Sequence, residues 1–116
     1  MRLAGTTGGG VTGAMRTLAV ALVLALVAGG CGHRPQSHTV ALSGFGFHPD
    51  TVRAAAGDTV VFRNDDAVPH TATADAGGFD SGDLQPGKSW RWVTKPGRFA
   101  FHCTYHPNMT GLVAVQ

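Results

Sequence analysis

The chain has 116 residues, with nine Lys and Arg against seven acids and a formal net charge of +2, which fits one small domain and excludes most multidomain enzymes. All seven acids are Asp and 17 residues are Gly, so strong helix formers are scarce, turn formers are plentiful, and an all-β domain is expected. The basic residues are scattered rather than clustered, which excludes the phosphate footprint of a nucleic-acid-binding protein. Two Cys leave open either one disulfide of an exported protein or two separate chemical roles.

In chain order the first feature is an unbroken apolar run, LAVALVLALVA, at 18–28 behind Arg16. It is shorter than the roughly 20 residues that cross a bilayer. A positive start, a short apolar middle and a small-residue end instead describe a signal peptide over residues 1–30. Ala28-Gly29-Gly30-Cys31 resembles the lipobox of bacterial lipoproteins, in which the Cys is lipid-modified and becomes the new N-terminus. That resemblance implies an anchor at Cys31 and a protein tethered to the outer face of the cytoplasmic membrane. The competing reading is an ordinary cleaved leader with Cys31 an incidental thiol, although unpaired exposed thiols are unusual in exported proteins. Met15-Arg16 suffices by itself to open a signal peptide, so Met15 is an alternative start. Loss of the leader removes Arg2 and Arg16 and leaves a formally neutral chain. Residues 31–37, CGHRPQS, are expected to form a polar tether broken by Pro35, and residues 38–116 the folded domain.

Short apolar segments then recur at 38–42, 51–54, 59–63, 71–74, 88–94, 98–103 and 111–115. Gly57-Asp58, Pro86-Gly87 and Pro96-Gly97 supply turns between them. Regular short strands without a sustained 3.6-residue period indicate an all-β sandwich or barrel. In Arg98-Phe99-Ala100-Phe101-His102-Cys103, strand alternation puts Phe99, Phe101 and Cys103 on the inner face and His102 on the other. Trp90 and Trp92 share a face and read as core packing.

The chemistry concentrates at Cys103-Thr104-Tyr105-His106-Pro107-Asn108-Met109. A thiolate, an imidazole and a thioether follow one another at equal spacing, and such soft and borderline donors suit copper in both oxidation states. Zinc takes Met poorly, and the oxygen donors that calcium or magnesium need are missing. A trigonal site with two His, one Cys and a long axial Met needs a second imidazole, for which His70, in the turn after the 59–63 strand, is the best candidate. Each residue has an ordinary reading by itself: a surface-turn His, a core-filling Met, an inert buried Cys. Their joint order around Pro69 and Gly111 is what carries the copper reading.

At these residues the chain resembles the cupredoxins, small blue copper proteins, of the amicyanin and plastocyanin group. The matching features are Asn64, Pro69-His70, Phe99-x-Phe101-x-Cys103, His106, Met109 and Gly111. Phe45-Gly46-Phe47-His48-Pro49 and Ala56-Gly57-Asp58-Thr59-Val60 extend the resemblance over the whole mature domain. The short Cys-x-x-His-x-x-Met loop is of the amicyanin type, with Tyr105 standing where amicyanins often carry Pro. The resemblance implies a Greek-key β-sandwich and one copper ion held by His70, Cys103 and His106, with Met109 as the weak axial donor. It also implies Asn64 as a supporting residue that ties the His70 turn to the Cys103-Thr104 segment.

Four protein donors leave no position for a substrate, which disfavours metal-assisted catalysis. The expected function is a monomeric, membrane-tethered one-electron carrier between a donor and an acceptor redox protein, not an enzyme. The alternative is a copper-binding protein for delivery or resistance, which would favour a methionine-rich site; Met109 stands alone in the folded domain. Asp65, Asp66, Asp75, Asp80 and Asp83 make two acidic stretches that read as solvated loops, the alternative being a face for a partner.

Overall fold

The computed structural model describes residues 32–116. The leader expected at 1–30 and the anchor expected at Cys31 lie outside the described residues. The strands are β1 (Ser37–Ser43), β2 (Gly46–His48), β3 (Thr51–Ala54), β4 (Thr59–Asn64), β5 (Thr73–Ala74), β6 (Ser89–Val93), β7 (Gly97–Cys103) and β8 (His106–Val115). There is no helix among the described residues.

Two four-stranded sheets, ordered β2-β1-β4-β6 and β3-β8-β7-β5, make the sandwich. Strands β1 and β4 pair in parallel, as do β3 and β8, and the other neighbours are antiparallel. The core follows from alternation. Val60 and Phe62 of β4 and Phe101 and Cys103 of β7 face inward, while Arg63 and Ala100 face out. Phe79, from a loop, fills the space between sheets, with its ring 4.5 Å from Trp92 and 5.5 Å from Phe62. Trp90 stacks on Phe62 at 6.1 Å, so both tryptophans are packing residues. Each fully buried side chain of this size contributes about 1.5–3 kcal/mol.

Gly111 of β8 lies opposite Phe101 of β7, beneath its ring. A Cβ there would lie 2.4 Å from the Phe101 ring and 2.8 Å from the Asp50 carbonyl. No side chain fits, which accounts for the glycine.

The register defines two poles. Ser37 pairs with Thr59 and Leu42 with Asn64, while Gly97 pairs with Val115 and Cys103 with His106. At the first pole the Ala56 N–H bonds to the Gln116 carbonyl and the Gly57 N–H to the Thr94 carbonyl, so the 55–58 turn ties the end of one sheet to the end of the other. The second pole, carrying Asn64, Cys103 and His106, is roughly 20 Å away at about 3.3 Å per strand residue.

Asp58 organises the first pole. Its carboxylate is 1% exposed and accepts the Gln36 N–H at 2.9 Å and the Ala55 N–H at 3.0 Å. The Nε2 atoms of His33 and His38 lie 2.5 and 2.9 Å away. The Gln36 N–H foremost, then the two imidazoles and the Ala55 N–H, hold the Asp58 carboxyl well below the ordinary carboxylate range, against its desolvation. His33 and Gln36 are thereby docked on a buried carboxylate, within the compact unit His33–Gln116.

Candidate metal centre

Three segments converge at the second pole. The loop between β4 and β5 carries His70, β7 ends in Cys103, and β8 begins at His106. Thr104 and Tyr105 form the tight turn joining β7 to β8, and a register shift between His102 and Cys103 bends the ladder there. The short loop is therefore a hairpin turn that sets Cys103 and His106 on opposing rungs.

Donor atoms of His70, Cys103 and His106 all lie within 4.8 Å of one another. The Cys103 Sγ is 3.7 Å from His70 Nδ1 and 3.6 Å from His106 Nδ1. Cys103 and His70 are fully buried, and His106 is half-buried. Met109 is 1% exposed and lines the same depression as Phe45, Tyr105 and His106. Two imidazole nitrogens and a thiol gathered this closely fit a single copper ion, and the fully buried Sγ lacks the open access of a reactive thiol.

The surrounding hydrogen bonds differ from expectation at Asn64. Its Nδ2 donates to the carbonyls of Val68 and Leu84, both at 2.8 Å, and its Oδ1 accepts the Asp66 N–H at 2.9 Å. Asn64 thus braces the 64–70 loop from inside and makes no bond to Cys103 or Thr104, because it sits on β4, behind that loop. Thr71 makes the bridge instead. Its N–H points at Cys103 Sγ at 3.3 Å, and its hydroxyl accepts the Thr104 N–H at 2.9 Å and lies 3.2 Å from the Thr104 hydroxyl. An N–H aimed at the sulfur fixes its position between the two segments.

Two residues with no site role in the sequence reading stand against the donors. Phe45 packs edge-on to His106 at 4.9 Å and to His70 at 5.6 Å between ring centroids. The Asp66 carboxylate accepts the N–H groups of Gly44 and Phe45 at 2.7 and 3.0 Å, and one of its oxygens lies 2.8 Å from His70 Nε2. The Phe45 N–H above all, with the His70 ring and the Gly44 N–H, holds the Asp66 carboxyl below its ordinary value despite partial burial. The remaining imidazoles stay outside the cluster. His102 Nδ1 pairs with the Asp75 carboxylate on the outer face, and exposed His48 bonds to the Ser43 carbonyl.

The sequence matches the family described as Cupredoxin-like domain over residues 16–115, and the chain belongs to that family. Among solved structures, a reduced variant of amicyanin is 26% identical over 69% of this chain and 82% of that one, with a TM-score of 0.63. A Cu(I) variant of amicyanin, 24% identical over the same shares, superposes with a TM-score of 0.64. A Cu-containing nitrite reductase from Thermus scotoductus SA-01 is 31% identical over 72% of this chain, with a TM-score of 0.65, but this chain spans only 23% of that enzyme. No curated protein sequence gives a match.

Proposed function

We propose that the protein is a one-electron carrier whose single copper ion is bound by His70, Cys103, His106 and, more weakly, Met109. The observation that carries the reading is the three-donor cluster within 4.8 Å at the end of a β-sandwich. When bound, copper supplies a one-electron Cu(I)/Cu(II) couple. The chain's part is to hold the donors still. His70 and Cys103 are immobilised by burial and His106 by its place on the β7–β8 hairpin, so little rearrangement accompanies a change of charge.

His106 is the half-buried member of the set and marks the electron port. Phe45 and Tyr105 beside it are 55% and 52% exposed, an apolar rim on which donor and acceptor proteins would dock in turn. The likeness to amicyanin over most of that chain supports a carrier, whereas the likeness to nitrite reductase concerns a minor part of that enzyme. The apolar run at 18–28 and Cys31 support a lipid tether on the outer face of the cytoplasmic membrane, which would confine diffusion to two dimensions.

The test is to add Cu(II) to the purified protein and record visible absorption and electron paramagnetic resonance. An intense blue band with narrow hyperfine splitting, lost in Cys103→Ala, is expected. A colourless complex, or a blue one that survives Cys103→Ala, would sink the assignment.

A further inference from the structure

The cavity at the first pole carries charge that the fold does not use. It has a volume of about 460 Å³ and is walled by His33, His38, Arg53, Arg98 and Gln116 around the Asp58 carboxylate. Arg53 of β3 and Arg98 of β7 both pair with Ala114 of β8, which lies between them. Residues opposite one another in a ladder share a face, and the burial of Val52, Val113 and Val115 puts Arg53, Ala114 and Arg98 on the outer one. Two guanidinium side chains thus rise on either side of a single methyl group, their Cα atoms roughly 10 Å apart across two strand spacings.

Neither arginine is spent within the protein. Arg63 donates through Nε and Nη2 to Asp65. Among the described residues, exposed Arg53 and Arg98 have no carboxylate within ion-pair distance. Asp58 is the one acid lining the cavity, and its buried carboxylate is already taken up by the Gln36 and Ala55 N–H groups and the two imidazoles. What the cavity offers to solvent is two cationic forks.

We propose that Arg53 and Arg98, astride Ala114, form a binding site for a phosphate group. A guanidinium is a planar fork matched to a pair of oxygens. A flat carboxylate satisfies one fork, whereas a tetrahedral phosphate turns oxygens to two sides and accepts from both. Its charge also offsets the repulsion between two neighbouring cations. Ala114 supplies the room, since a longer side chain would fill the saddle between the arginines. The forks are mounted on strands, and the rim beside Arg53 is fixed where the Gln116 N–H bonds to the Ala54 carbonyl and the Ala56 N–H to the Gln116 carbonyl. Free phosphate and the headgroup of an anionic phospholipid present the same chemistry. A chain held at a membrane meets it as a headgroup; that source rests on the lipid-tether reading above, and the site itself does not.

The experiment titrates inorganic phosphate, at constant ionic strength against chloride, into the ¹⁵N-labelled full chain, and sediments the same chain with vesicles containing phosphatidylglycerol. Saturable shifts of the Arg53 and Arg98 Nε–H signals and of the Ala114 amide are expected with phosphate and not with chloride. Arg53→Gln and Arg98→Gln should each bind about fivefold more weakly. Ala114→Leu, which keeps both charges and fills the space between them, should weaken binding too. Sedimentation of the wild type that exceeds that of Arg53→Gln assigns the headgroup as the source; equal sedimentation beside saturable phosphate shifts assigns free phosphate. A wild type whose arginine signals do not saturate overturns the proposal whatever the variants do, and so do arginine variants that bind phosphate as tightly as the wild type. A chain that binds phosphate but is never lipidated at Cys31 loses the tether and keeps the site.

Discussion

Met109 is buried within the depression that holds His106, and a thioether is a soft donor that favours the lower charge on copper. Exchanging it for an amide oxygen, as in Met109→Gln, should lower the reduction potential while copper stays bound. Voltammetry of the two proteins decides this, and equal potentials would make Met109 a packing residue only. At this scale the candidate cluster was legible because Cys103 and His106 sit close in sequence and their chemistry is distinctive. The supporting residues were not. Asp66 finds its backbone partners 21 and 22 positions away, and Thr71 meets Thr104 33 positions on. Such pairings are created by the fold, so a lone Asp or Thr in a loop gives no sign of them. Asn64 shows the reverse case, in which a family pattern located the residue but not the atoms it holds.

The β7–β8 hairpin is the element on which the site depends. Its inward alternation of Phe99, Phe101 and Cys103 was readable from side-chain period alone, whereas β8 runs from His106 and not from Gly111. The polar, Pro-containing stretch at 106–110 has no apolar alternation, and its strand character comes from pairing with β7. β2 was likewise missed because three residues are too few to show a period. The close approach at Gly111 yields a test of how the hairpin is packed. Gly111→Ala forces a methyl group into the Phe101 ring and the Asp50 carbonyl, and such overpacking costs about 1–3 kcal/mol. A urea denaturation curve should show the loss as a lower midpoint at unchanged slope. An unaltered midpoint would mean that Phe101 swings aside at no cost.

For the whole molecule, stability should depend on pH through Asp58. Its carboxyl is depressed in the folded state, so its contribution is complete above the unfolded carboxylate value near 4 and is lost as pH falls towards the lower folded value. Denaturation midpoints should therefore drop steadily on acidification below about pH 4. Asp58→Asn should be less stable at neutral pH and show a flatter acid limb; an identical acid limb would assign the loss to other groups. The surface cavity around this pole is lined by His33, His38, Arg53, Arg98 and Asp58. The contacts of Asp58 were not legible in sequence, where 31–37 reads as a polar tether broken by Pro35, because an acid and two imidazoles 20 and 25 positions away announce nothing until the fold brings them together. The docked His33–His38 segment also gives the molecule a polarity of attachment. His33 lies at the end of the sandwich remote from His106, so a molecule immobilised on an electrode through His33 itself would present the His70, Cys103 and His106 end to the solution.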